Sequence, residues 1–192
     1  MKKWNLKNTL WMLIYMILYV IVTVFVCMTG IIHPIFFVCY QITAGILLTG
    51  IVFKAFDKVR APGVAGFLSA GLIIMLFIIQ DVTAWHIVPV IIIAAAAEAF
   101  RFLFRYNRMG DIIGTVIMTF STFGYYGRIW LGRAYTYEVA IEEMPVGYAD
   151  TLMLFSPIWT LPLVLFIGIA LSILMQILLK NHLTLKESRK EL

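Results

Sequence analysis

Three groups of side chains in this sequence carry chemistry. The first is a pair of histidines. His33 stands directly before Pro34, and His86 three residues before Pro89, so each marks an expected helix start. Two imidazoles at one face can ligate a haem iron or another metal; the same placement also fits two interfacial histidines that share no partner. The second group is aromatic: Tyr125, Tyr126, Trp130, Tyr135, Tyr137, Tyr148 and Trp159 gather around Arg128, Arg133, Glu138 and Asp150. Flat rings with a few charges suit a pocket, where rings stack and charges fix orientation. They equally suit an aromatic belt at a membrane interface. The third group is Glu98, an acid within an apolar run, with Arg101 one helical turn later. An unpaired intramembrane carboxylate costs at least ~2.5 kcal/mol and marks function by default. The spacing predicts a Glu98–Arg101 pair snorkelling at the inner interface; proton or ion coupling and contact with a cytoplasmic partner are the alternatives.

Familiar catalytic templates do not fit. The chain has no Gly-x-x-x-x-Gly-Lys-Ser/Thr phosphate loop, no Gly-x-Ser-x-Gly elbow and no His-Glu-x-x-His zinc motif. Glu142-Glu143 is similar to the Glu-Glu-x-x-x-Arg signature of intramembrane proteases, but position 147 is Gly147 rather than arginine. The sequence therefore supports no enzyme.

The elements that must position these residues follow from composition. Of 192 residues, 62% are hydrophobic and 13% charged, and mean hydropathy is +0.97. At about 20 apolar residues per crossing, that content supplies roughly six spans and leaves no room for a soluble domain. Nucleic-acid-binding modules, soluble enzymes and disulfide scaffolds are excluded. The expected fold is an all-α integral membrane protein, a single domain over 1–192, with spans at 9–29, 35–53, 64–79, 87–104, 112–131 and 152–179. The first run is too long for a signal peptide and lacks a small-residue cleavage site after it, so a span is expected there. Cys27 and Cys39 lie in apolar runs and read as packed thiols rather than a disulfide.

Charge placement orients the spans. Lys2, Lys3 and Lys7 precede the first; Lys54, Lys58 and Arg60 follow the second; Arg101, Arg105 and Arg108 follow the fourth; Lys180, Lys186, Arg189 and Lys190 end the chain. With six spans these 13 of the 15 Lys and Arg residues share one side, and only Arg128 and Arg133 face the other. Positive loops are cytoplasmic, so both termini are expected inside. The net charge of +5 then needs no nucleic acid to explain it. His182, among the tail charges, reads as a solvated cytoplasmic residue. The outer connection between the last two spans is about twenty residues long and holds most of the outer polarity, which is commoner in functional loops than in plain linkers. Ala95/Ala99, Gly66/Ala70 and Gly110/Gly114 are small-xxx-small pairs. Such pairs allow close helix approach, within the chain or against another subunit.

Tyr126, Arg133, Tyr135, the run Gly147, Tyr148, Ala149, Asp150, then Leu152-Met153 and Pro157-x-Trp159 resemble the Trep_Strep family of small bacterial membrane proteins. The resemblance implies a substrate-binding S-component of an energy-coupling-factor (ECF) transporter in the bacterial plasma membrane. Such a subunit works with a membrane coupling protein and two cytoplasmic ATPases, and topples to release its cargo inward. One departure stands out: S-components often carry an Ala-x-x-x-Ala docking face on the first helix, whereas 9–29 contains no alanine. Docking then uses either larger residues on that helix or another face, for which Ala95, Glu98 and Ala99 are the expected residues. The expected substrate-binding set is His33, His86, Tyr126, Arg133, Tyr135, Met144, Tyr148, Asp150 and Trp159. No resident cofactor or metal is expected; the cargo is a vitamin-like or tetrapyrrole molecule. Haem is the most testable case, with His33, His86 and Met144 as iron ligands and Tyr135 or Tyr148 stacking on the ring or ligating. A stand-alone secondary transporter and a non-transporting scaffold subunit are the alternatives.

Overall fold

A chain this apolar satisfies its backbone inside a bilayer by coiling into helices. The computed structural model describes residues 4–188, with side chains described to residue 180. The charges at Lys2, Lys3, Lys186, Arg189 and Lys190, and His182, lie outside those side chains. The described residues form eleven α-helices. They are α1 (Leu6–Ile32), α2 (Pro34–Val38), α3 (Tyr40–Lys58), α4 (Val64–Ile78), α5 (Ala84–Leu103), α6 (Arg108–Met118), α7 (Phe123–Tyr126), α8 (Arg128–Leu131), α9 (Arg133–Glu143), α10 (Tyr148–Phe155) and α11 (Thr160–Ser188). Helices α1, α5 and α11 (the last over Thr160–Lys180) are long and apolar enough to cross a membrane, and α4 is a shorter apolar helix.

Helix α3 is the centre of the bundle. Its Gln41, Ala44, Gly45, Leu48, Thr49, Val52, Ala55 and Phe56 are all buried, and it packs on α1, α6 and α11. The crossing with α11 is tight: a Cβ at Gly45 would strike the Gly168 backbone, and one at Gly168 would strike Gln41. Close approach replaces hydrophobic drive where lipid surrounds the helices. Thr49 and Ser172 meet across this crossing at 2.7 Å, so each hydroxyl satisfies the other. Helix α1 shows the complementary pattern. Met12, Tyr19, Thr23 and Val26 face inward, while Leu10, Ile14, Ile17, Ile21, Phe25 and Met28 remain exposed, a lipid-facing stripe at helical spacing.

Three expected segments are interrupted. The run 35–53 divides at Cys39 into α2 and α3, and 112–131 divides into the end of α6, a turn, α7 and α8. In the latter, Thr119 Oγ1 donates to Val116 O at 2.6 Å and Ser121 Oγ to Met118 O at 2.8 Å. Such bonds offer the backbone an alternative to the helical ladder. Tyr19 holds the break from α1, donating to Ser121 Oγ at 2.7 Å. Gly124 is required just beyond, because any Cβ would collide with the Trp85 carbonyl. The run 152–179 divides around Pro157, which cannot continue a helix; α10 ends at Phe155 and α11 begins at Thr160. The long connection is itself helical, as α9 and α10.

Candidate functional site

Two ends of the bundle carry its charged chemistry. At the Leu6 end of α1, Arg101 is completely buried and fully engaged. Its Nε donates to Asp111 Oδ1 at 3.0 Å, Nη1 to Glu98 Oε1 at 3.2 Å and Nη2 to Val59 O at 3.1 Å. The guanidinium lies 4.0 Å from the Phe56 ring centroid and 5.3 Å from that of Tyr106. Glu98 Oε1 also accepts the Ala65 amide at 2.7 Å, near the start of α4, where a carboxylate complements the helix dipole. Arg60 approaches Asp111 Oδ2 at 3.5 Å. Gly110 and Gly114 leave room for the Arg101 backbone and side chain. The expected Glu98–Arg101 pair forms, but it does not snorkel: the guanidinium is wholly buried, with Asp111, Glu98 and Val59 as its acceptors. Glu98 thus faces this knot, while Ala95 and Ala99 lie on the exposed face of α5, near Ile91 and Ile92.

At the Ile32 end lie two adjoining chambers that share part of their walls. The outer one, about 270 Å³, is bounded by α1, α9 and α10; Arg128, Tyr135, Glu143, Met144 and Tyr148 stand on its wall. The inner one, about 300 Å³, lies among α1, α4 and α5 and is walled by Val24, Met28, Leu72, Met75, Leu76, Ile79 and Val90, with Thr23, Ser121 and Thr122 as its hydroxyls. Cys27, Asp81, His86 and Tyr125 line both, forming a waist. His86 Nδ1 sits 3.1 Å from Asp81 Oδ1, and its ring centroid 5.4 Å from that of Tyr125. Cys27 Sγ and the Tyr40 hydroxyl are hydrogen-bonded behind the waist.

The roof over the outer chamber is tied down by residues whose chemistry the sequence flagged for another purpose. Tyr148 donates to Gly30 O at 2.5 Å, joining α10 to α1; burial pushes its phenol up to about 12, so it stays a neutral donor. Tyr137 donates to Asp150 Oδ1 at 2.8 Å, joining α9 to α10. Arg133 donates to the Ser156 carbonyl and, at 3.2 Å, to Met153 O. A cation there satisfies the open carbonyls at the C-terminus of α10.

The expected substrate set therefore separates. His86, Tyr135, Met144 and Tyr148 stand together on the cavity wall. His33 stands apart: its Nδ1 accepts the Ile35 amide at 3.2 Å, capping α2, and its ring packs toward Phe155 at 6.1 Å. Tyr126 is wholly buried, stacks on Tyr40 at 5.1 Å and donates to Gln41 Oε1 at 2.5 Å. Arg133 and Asp150 brace the roof, and Trp159 is exposed. The residues overlooked are Asp81, Glu143 and Cys27; Arg128, expected among the charges beside the rings, also stands on the cavity wall although the expected substrate set omits it. A lone charge in an apolar run marks Arg128, as it marks Glu98.

A family model described as a hypothetical bacterial integral membrane protein (Trep_Strep) matches residues 6–183. No curated protein and no solved structure matches the chain.

Proposed function

From its membership of that family, for the chain belongs to the Trep_Strep hypothetical bacterial integral membrane proteins, and from its cavity, we propose that it is the substrate-binding S-component of an ECF importer in the bacterial plasma membrane. In this reading α1, α2–α3, α4, α5, α6–α8 and α11 make six crossings. The Arg101 end and both termini are cytoplasmic, in accord with the placement of 13 of the 15 basic residues. The cavity then opens outward. The single observation that carries the reading is this chamber at the cation-poor end, roofed by α9 and α10 and large enough for a small nutrient. Without a phosphate loop of its own, the chain depends on partner ATPases for energy, reached through a membrane coupling protein.

Haem bound by two histidines gains nothing from the geometry, since His33 caps α2 away from the cavity. The cargo is a small organic molecule held by residues such as His86, Tyr135, Met144 and Tyr148. Docking to the coupling protein is assigned to the exposed Ala95/Ala99 face; Glu98 contributes only by fixing α5 against α4.

The test is isolation of the intact chain from its native membrane in lipid nanodiscs. ATPases and a membrane coupling protein in stoichiometric amounts support the reading, and Ala95→Trp should reduce their recovery several-fold. A homogeneous chain that retains its cargo but carries no ATPase contradicts it and favours a stand-alone transporter.

A further inference from the structure

Arg128 is held in an unusual way. Its guanidinium lies 3.9 Å from the Tyr135 ring centroid and 5.1 Å from that of Trp85. Among the described residues it makes no hydrogen bond and no ion pair. Rings fix a guanidinium through its face and leave the in-plane N–H donors available. The group is therefore positioned and uncommitted at the same time, on the wall of the outer chamber. A planar fork of donors suits a carboxylate in bidentate contact.

The rest of that chamber restricts the anion. Glu143 and Asp81 share its wall; Asp81 is occupied by His86, whereas the Glu143 carboxylate has no polar partner among the described residues. A dianionic phosphate would face these acids, and a simple cation would leave Arg128 unused. A group carrying both a carboxylate and an ammonium matches Arg128 and Glu143 together. Beyond the waist the walls turn apolar, and two buried hydroxyls without a hydrogen-bond partner stand among them: Thr122 Oγ1, and Thr23 Oγ1 on a residue only 1% exposed. A buried hydroxyl without a partner is uncommon in folded proteins. Their presence on the inner chamber fits a tail that brings a hydrogen-bonding atom of its own.

We propose that the two adjoining chambers together take an amino-acid-like zwitterion with a large apolar tail. The carboxylate lies on Arg128, the ammonium by Glu143, and the tail passes the waist toward Thr23. This inference rests on the cavity being the capture site of the proposed S-component.

Isothermal titration of the full chain in nanodiscs tests it with L-tryptophan, L-leucine, glycine, tryptamine and indole-3-propionate. L-Tryptophan should bind at least tenfold more tightly than tryptamine, which lacks the carboxylate, or indole-3-propionate, which lacks the ammonium. Glycine, lacking the tail, should give no measurable heat. Arg128→Gln should lower L-tryptophan affinity to the level of tryptamine and leave tryptamine itself unchanged, with Arg128→Lys restoring part of the loss. Met75→Trp, filling the inner chamber, should abolish L-tryptophan binding while circular dichroism remains that of the parent. Equal affinity for L-tryptophan and tryptamine, undiminished binding to Arg128→Gln, or a retained phospholipid with no response to any probe would overturn the proposal. Recovery of ATPases with no probe binding sinks this inference alone; probe binding without ATPases sinks the importer reading alone.

Discussion

Arg101 and Arg128 are the same residue type at opposite ends of one bundle, and they do opposite work. Arg101 has Asp111, Glu98 and Val59 O within 3.2 Å and is wholly buried. Arg128 is held by Trp85 and Tyr135 alone among the described residues. The difference lies in the neighbours. Around Arg101, α3, α4, α5 and α6 converge with acids and a free carbonyl, so each of its three nitrogens meets an acceptor. Around Arg128, aromatic rings supply contact without acceptors, and a cavity takes the place of the fourth wall. A saturated buried cation joins helices; an unsaturated one at a cavity is available to a ligand.

The largest expected effect is at Arg101. Arg101→Ala would leave the buried Asp111 with only the more distant Arg60, and the half-buried Glu98 with no cation, costing about 3–5 kcal/mol. Thermal unfolding in nanodiscs should show a large fall in Tm, or no monodisperse protein. Arg101→Lys should recover only part of this, because one ammonium cannot reproduce the fork toward Asp111, Glu98 and Val59 together; the same melting curve reads it. Tyr148→Phe removes the roof bond to Gly30, worth about 0.5–1.5 kcal/mol. Its signature is faster amide exchange across α10, with the Arg101 end unchanged. Arg128→Gln should alter stability least, by about 0.5–1 kcal/mol, the scale of an exposed cation–π contact. If Arg128→Gln instead destabilised the chain as much as Arg101→Ala, the contrast between the two ends would collapse.

The sequence made the long helices legible because apolar runs have a single backbone solution in lipid. Helices α1, α4 and α5 start and stop within a few residues of their expected bounds. The interruptions were hidden because average hydropathy does not register a hydroxyl folded back onto a carbonyl. Thr119 and Ser121 carry such bonds where the run after α6 is interrupted. At the site, residue type identified polar groups but not their partners. Tyr148 meets Gly30 across 118 positions, and Tyr126 meets Gln41 across 85, separations that local spacing does not encode. For the same reason Arg133 and Asp150, expected on substrate, hold the roof instead. Arg128 was visible as a charge in an apolar run; that its neighbours would be rings rather than acids depended on how α5, α8 and α9 converge.

Native mass spectrometry of the chain isolated from its own membrane bears most directly on whether Arg128 holds a cargo. The wild-type chain should carry an added mass of a few hundred daltons or less, on the scale of a ligand that fills these chambers. The Arg128→Gln chain should carry none at equal folded yield. An identical adduct on both would contradict the account.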